Sequence, residues 1–359
     1  MAYYLGMDVS QKATALCVVD GKGLIVAEGK VLTNPQDIVG WIAAQKIDLT
    51  SIVRAGLEAG AMSNWLCTEL VKLGLPVICL EAFQAHQFLK TQRNKTDKND
   101  ARGLAHMVRM GEAFIKEVVI RSQHRQELRT LLTLRQQIVS QRVSVENNIT
   151  GALKPFGLVT PRRQACLKTF QSRVYETLCK AEERNIHVRD SIVLSLSVHE
   201  SLCKELASFD KLIKKAAADD PVCRRLMTAP GVGPVVACSF VSAIDDPKRF
   251  RGADDIGAYF GLTPRQYQSG ETDVRGSTSR RGNTMTRTHL VQAATTLLIG
   301  KKCSALKAWG LKLARKKGFR KARIAVARKL AVVLHKMWVN ETEFCWTSQG
   351  SESASSTPA

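Results

Sequence analysis

The sequence predicts an α/β domain at its N-terminus, a long helical middle with coiled-coil character, and a mainly α C-terminal domain carrying a helix-hairpin-helix-like motif. Three observations predict it. Short β-branched and apolar runs separated by turn residues fill the first part of the chain. From residue 122 onward apolar residues recur instead at helical spacings. Beyond residue 300 the chain turns strongly basic.

Residues 3–9, 14–19 and 24–31 read as three strands, with Asp20-Gly21 turning the chain between the second and third. Asn34 caps a helix over 35–45, and Pro35 suits its first position, where a helix leaves the N–H unpaired anyway. Residues 52–57 form a short apolar strand ending at Glu58. Residues 62–73 form an amphipathic helix, 76–80 a further strand, and 83–89 a helix. This β-β-β-α-β-α-β-α order predicts a mixed sheet covered by helices. Asp8 and Glu58 then fall at the carboxyl ends of two strands, the edge where open α/β sheets place ligands.

The segment Lys95-Thr96-Asp97-Lys98-Asn99-Asp100-Ala101-Arg102 puts two carboxylates three residues apart at a helix start, on one face. Carboxylates held that close repel unless a cation sits between them. A divalent metal with oxygen ligands would satisfy them; so, more simply, would a role as acidic caps of the helix. If Asp8, Glu58, Asp97 and Asp100 converge, they match the donor set that in-line phosphoryl transfer uses around two metal ions.

From residue 122 to about 152, Leu131, Leu134, Ile138, Val145, Ile149 and Ala152 predict the seam of a long helix, which Pro155-Phe156-Gly157 breaks. A second helical stretch over 164–215 carries Ile192, Leu196, His199, Leu202, Leu206, Phe209 and Ile213 on one stripe. The product is either an antiparallel hairpin within the chain or a coiled coil between two chains. His199 lies on the apolar stripe with no second His at ligand spacing, and reads as a core histidine.

Thr228-Ala229-Pro230-Gly231-Val232-Gly233-Pro234 resembles a helix-hairpin-helix turn, whose small residues let backbone amides approach a phosphate. A tight interhelical turn would need the same residues. Residues 254–264 read as helix up to Gly261. The following Ser/Gly/Arg-rich loop, 265–283, sets hydroxyls beside cations, either as a nucleophile with charge stabilisation or as plain phosphate contacts. Residues 283–300 are helical.

Residues 301–336 hold thirteen Lys/Arg and no Asp/Glu, interleaved with Leu306, Trp309, Leu313, Ile324, Leu330 and Val333. Amphipathic helices with such a basic face bind nucleic-acid backbones or anionic membrane surfaces. The candidate nucleic-acid contacts are Arg265, Arg275, Arg280, Arg281, Lys316, Lys317, Arg320, Lys321 and Arg323. Arg275, Arg280 and Arg281 are also candidates for the scissile phosphate. The polar tail over 348–359 is expected to be disordered. The expected division is 1–115, 116–218, 219–342 and 343–359.

Composition narrows the classes. A net charge of +21 and a pI near 9.8 favour a polyanionic partner, with nucleic acid first. No apolar run of about 18 residues and no signal-peptide pattern is present, which predicts a cytoplasmic protein without a membrane partner. Ten cysteines without a C-x-x-C pair argue against a zinc module or a disulfide framework.

Three segments carry a family resemblance: Leu5-Gly6-Met7-Asp8-Val9-Ser10, Leu57-Glu58-Ala59, and Asn94-Lys95-Thr96-Asp97-Lys98-Asn99-Asp100-Ala101. The first resembles the opening of RNase H/RuvC-like nuclease folds. Together they resemble the DEDD-type transposases of the IS110 and IS1111 insertion sequences, relatives of the Piv invertase. Gly261-Leu262-Thr263-Pro264-Arg265-Gln266-Tyr267-Gln268-Ser269-Gly270 is similar to the second conserved domain of that family, in which a serine before a glycine attacks DNA.

The resemblance implies that Asp8, Glu58, Asp97 and Asp100 are the DEDD residues holding Mg²⁺ (or Mn²⁺), and that Ser269 is the nucleophile. It further implies target and donor DNA as substrates, a bridge RNA as guide, and a homo-oligomer, dimer or tetramer, with a composite active site. Such a protein would act at the nucleoid of a bacterial cytoplasm. Two rivals remain at this point: a RuvC-like junction nuclease using metal-activated water, and a non-catalytic nucleic-acid-binding protein.

Overall fold

The computed structural model describes residues 1–90, 94–111, 113–160, 169–270 and 272–346. It divides into two compact units, Met1–Arg121 and Ser122–Ala359.

The first unit is built on a five-stranded mixed sheet. Its strands are β1 (Tyr3–Val9), β2 (Ala13–Asp20), β3 (Ile25–Leu32), β4 (Ile52–Glu58) and β5 (Val77–Leu80), in the order β3-β2-β1-β4-β5. β1 pairs antiparallel with β2 and parallel with β4, so the sheet is mixed as expected. Helices α1 (Pro35–Ala44) and α2 (Ser63–Lys72) connect strands, followed by α3 (Ala82–Leu89) and α4 (Asp97–Arg109). As expected, Asn34 caps α1, accepting from the Gln36 N–H, with Pro35 in the first turn.

Side chains alternate across a strand, and the two faces of β1 have different covers. Leu5 and Met7 point into a core with Ile38 and Ile42 of α1 and Leu66 and Leu70 of α2. The opposite face packs under α4, where Ala101 and Ala105 meet Ala15, Cys17 and Val19. Gly6 lies on that face: a Cβ there would fall 2.1 Å from the Ala101 carbonyl oxygen and 2.2 Å from the Ala105 nitrogen. Only a residue without a side chain lets α4 lie this close. After α4 the chain returns to the sheet edge: the Glu81 N–H donates to the Lys116 carbonyl at 2.9 Å, and the Val118 N–H to that of Cys79 at 2.7 Å.

In the second unit, α5 (Gln123–Leu153) and α7 (Arg189–Asp219) run antiparallel. Arg135 Nε donates to Asp210 at 2.6 Å near one end, and His199 Nε2 lies 3.0 Å from Glu146 Oε1 farther along. His199 is thus a buried, partnered histidine.

The seam differs from its expected phase. Leu128, Leu132, Ile149 and Leu153 are buried, whereas Leu134 and Ala152 face outward. The expected single stretch over 164–215 is two helices, α6 (Phe170–Glu182) and α7. They are parted by a turn in which Asn185 adopts φ 56°, a conformation Asn tolerates. The start of that stretch, and the tail over 348–359, lie outside the described residues. Val174, Leu178 and Ala181 of α6 close one end of the hairpin against Ile149, Leu153, Ile192 and Leu196.

The other end of α5 and α7 enters a larger core. Leu128, Leu132, Ile213 and Ala217 join α8 (Pro221–Leu226), α9 (Pro234–Ile244), α10 (Ala253–Tyr259), α11 (Thr284–Ile299), α12 (Ala305–Lys317) and α13 (Phe319–Val339) around Phe240. Gly231, in the turn between α8 and α9, has φ 79°, and a Cβ there would fall 2.3 Å from the Ala293 carbonyl oxygen of α11. Packing against α11 therefore accounts for this glycine without a phosphate.

The loop expected over 265–283 is largely a β-hairpin of β6 (Pro264–Ser269) and β7 (Thr272–Thr278). Its strand pairing outweighs the Ser/Gly/Arg composition that reads as loop. Among the described residues no cysteine forms a disulfide, and no helix is long and apolar enough to cross a membrane.

Candidate functional site

The sheet register sets the first two carboxylates side by side. Met7 of β1 is paired with Leu57 of β4, so Asp8, next to last in β1, and Glu58, last in β4, stand near the carboxyl ends of neighbouring parallel strands with the same parity. The strands lie about 4.8 Å apart. Both side chains lean to the face that α4 covers, as Gly6 two residues before Asp8 shows.

Helix α4 brings the other two. Thr96 caps it, its hydroxyl accepting from the Asn99 N–H at 3.2 Å, so Asp97 and Asp100 both fall in the first turn. The close approach at Gly6 fixes the height of that turn above β1. Asp100 is buried, while Asp97 is exposed and paired with Lys30 Nζ at 2.8 Å. Lys30 stands opposite Ala15 on β2, which in turn stands opposite Asp8, so the three residues form one row across β3, β2 and β1. Glu28 of β3 pins the same turn of α4, taking a two-point hydrogen bond from Arg102 and an ion pair from Lys98 at 3.0 Å.

The charges register one another. Asp8 is pushed up to about 6, first by burial and then by Asp100, Asp97 and Glu58, with Lys95 pulling the other way. Burial likewise raises Glu58; His86 lowers it and Asp100 raises it. Asp97 is lowered by its hydrogen bond and charge pairing with Lys30, and the Arg102 and Lys98 contacts hold Glu28 near 2 against the opposing effect of burial. The structure therefore brings all four expected carboxylates into one electrostatic neighbourhood.

As the side chains stand, no group of three or more His, Cys, Asp or Glu among the described residues is posed to hold a metal ion. The donor set nevertheless fits a divalent cation in charge and kind: the oxygens are hard ligands, and repulsion from Asp100, Asp97 and Glu58 adds to burial in raising Asp8. Closing the set requires Asp97 to leave Lys30, and an exposed ion pair of this kind is weakly held. A cavity of about 610 Å³ lies beside Asp97, lined also by Glu28, Lys30, Thr96 and Lys98. Lys30, Glu28 and His86 were missed from sequence; the only signal for Lys30 was the hairpin register.

Ser269 ends β6, opposite Thr272, and is exposed, with Gly270 at φ 54° forming the tip. Arg265 is exposed on the same strand, Arg275 pairs through its backbone with Gln266, and Arg280 and Arg281 follow β7. His289 of α11 is buried and pushed down to about 4 by burial and by the charge of Arg135, which keeps it neutral.

Lys316 and Lys317 end α12, while Arg320 and Lys321 open α13; all four are exposed, and Arg323 is half-buried. The first pair complements the helix dipole and the second opposes it. An anionic partner would relieve that opposition.

Comparison with known proteins gives the class. A transposase model of the IS110 DEDD type matches residues 5–157, and a model described as the transposase IS116/IS110/IS902 family matches residues 223–308. The first span contains the four carboxylates and the second contains Ser269. The protein is a transposase, a DNA-processing enzyme. The chain belongs to the IS110/IS116 family of insertion-sequence transposases.

Among its relatives is the transposase of insertion sequence element IS1111A from Coxiella burnetii, 27% identical over 338 residues, covering 92% of this chain and 88% of that protein. A probable family 20 transposase of Pseudomonas aeruginosa is 25% identical over 292 residues, covering 80% and 84%. Among solved structures, RuvC of Thermus thermophilus in complex with a Holliday junction substrate covers 33% of this chain and 100% of its own, at 18% identity and a TM-score of 0.24.

Proposed function

We propose that this transposase is a site-specific recombinase that joins itself to DNA through Ser269 while Asp8, Glu58, Asp97 and Asp100 hold a divalent metal. The observation that carries the reading is the placement of four carboxylates on β1, β4 and the first turn of α4, near enough that Asp100, Asp97 and Glu58 add to burial in pushing Asp8 up to about 6. Magnesium or manganese bound there supplies Lewis-acid stabilisation of phosphate charge.

The protein's own steps balance without an energy source. Ser269 Oγ attacks a backbone phosphorus, forming a Ser–O–P bond as one P–O bond of the phosphodiester breaks. The hydroxyl proton is lost to solvent, and the departing strand oxygen gains one. Attack by the hydroxyl of the exchanged strand then breaks the Ser–O–P bond and restores Ser269. The hairpin tip presents the hydroxyl in the open, where a substrate backbone can reach it.

The net charge of +21 is compatible with carrying RNA together with DNA. By family resemblance the RNA is a bridge RNA pairing with target and donor DNA, and the protein works as a homo-oligomer. Incubation with element-end DNA is expected to give a denaturation-resistant protein–DNA adduct that is absent from Ser269→Ala. Asp97→Ala and Ser269→Ala are both expected to abolish recombination, a loss above about 10³-fold, while leaving nucleic-acid binding intact. Cleavage without an adduct would replace the serine with metal-activated water.

A further inference from the structure

The second unit contains a cavity of about 370 Å³ at the foot of the β6–β7 hairpin, away from its tip. Arg280, Arg287 and Arg323 line it, with Thr278 and Thr288. None of its lining residues among those described is acidic. Three like charges around one hollow repel one another. Arg287 is lowered from the ordinary arginine range, first by burial and then by the charge of Arg280. The Nε of Arg323 is buried without a hydrogen-bond partner.

The backbone around the hollow is built to keep these groups in place. The segment after β7 crosses the end of α10 at two glycines. A Cβ on Gly261 would fall 2.1 Å from the Arg281 carbonyl oxygen, and one on Gly282 would fall 2.0 Å from that of Tyr259. The crossing is tied by the Ser279 N–H to the Thr263 carbonyl at 2.8 Å and the Arg280 N–H to that of Gly261 at 3.2 Å. Arg287 Nη1 closes it, donating to the carbonyls of Phe260 and Arg281, each at 3.1 Å. Arg280 is held at φ 54°, a conformation that costs a residue with a Cβ and persists only where its surroundings impose it. Strained backbone, an unpaired buried N–H and uncompensated cations thus meet in one hollow, and a bound anion would relieve the last two.

We propose that this pocket grips a single backbone phosphate of the nucleic-acid strand lying along the hairpin, as a positioning site separate from the reacting phosphate. The separation follows from register. Thr278, at the pocket, is paired with Pro264, whereas Thr272 is paired with Ser269. Five residues of strand at about 3.4 Å each put Ser269 roughly 17 Å away along β6. The grip would therefore set which phosphate of the strand meets the serine. That register role rests on Ser269 being the nucleophile; the grip itself does not. A terminal phosphate or a free nucleotide offers the same chemistry, so the test must separate the sources.

The test uses the full chain and the Arg280→Gln/Arg323→Gln pair, with Arg323→Lys as a milder variant that keeps the charge but loses the fork. Affinity for a labelled random-sequence duplex is followed by anisotropy as KCl is raised. The pair is expected to lose about one unit of the salt slope, since each phosphate contact contributes about 0.9. The loss should be the same across sequences, with melting unchanged. Arg323→Lys should retain the slope and lose less affinity.

An unchanged slope with intact folding overturns the grip. So does calorimetry in which wild type binds inorganic phosphate, the pair does not, and both keep the same slope for the duplex. The position of the Ser269 adduct gives the register readout: one position in wild type, several in the pair. A wild-type adduct with slope and position both unchanged in the pair sinks this inference and leaves the proposed function standing. A reduced slope with no adduct from wild type does the reverse.

Discussion

At Asp8, burial and three neighbouring carboxylates act in the same direction and raise the acid from 3.8 to about 6. A carboxyl whose folded pKa is raised binds its proton more tightly when folded. Its stabilising contribution is complete below the unfolded value near 3.8 and is lost as pH rises through about 6. The metal-free protein is therefore expected to melt lower at pH 8 than the same group allows at pH 5, and Mg²⁺ to restore more at pH 8. Asp8→Asn should raise the metal-free melting temperature at pH 8 by roughly 5 °C and abolish the Mg²⁺ response; differential scanning calorimetry at the two pH values checks both. The four carboxylates were legible because each ends a strand or opens a helix at a position local sequence patterns define. Lys30 was not, because its place beside Asp97 depends on the pairing of three strands.

Helix α4 shows how an element, once placed, positions two site residues together. Its height over β1 is set at Gly6, where any side chain would meet backbone atoms of Ala101 and Ala105 rather than a movable side chain. Gly6→Ala is expected to cost about 1–3 kcal/mol, the usual range for overpacking, and to lower activity beyond that loss by lifting Asp97 and Asp100 away from Asp8. Chemical denaturation measured beside metal-dependent activity separates the two effects. The first three strands and α1 were readable from alternation and turn residues. The α5 seam was not, because Leu131 and Leu134 fit a helical repeat as well as Leu128 and Leu132 do, and only the partner helices choose between them. The turn after α6 contains neither Gly nor Pro, so the break at Asn185 left no strong mark. Composition likewise concealed the β6–β7 hairpin, in which Ser and Gly sit within paired strands.

At the scale of the whole molecule, the chain divides into two separately cored units. The segment after α4 contributes Val118 and Ile120 to the first core and hydrogen-bonds the edge of β5. A fragment ending at Arg121 is therefore expected to melt cooperatively, and one ending at Ile115 to be less stable by about 2 kcal/mol for two lost backbone hydrogen bonds; circular dichroism of the two fragments checks this. The exposed Lys30–Asp97 pair reaches further than its weak bond. A cation that takes Asp97 frees an ammonium group, and that ammonium is then available to a phosphate. If Asp97 holds a metal as proposed, metal and nucleic acid would become cooperative ligands, each raising the other's affinity by the same factor, as thermodynamic reciprocity demands. Lys30→Met should tighten Mn²⁺ binding in the absence of DNA and shrink the gain that DNA confers. Equal titration curves for the two proteins would show that the lysine takes no part in the coupling.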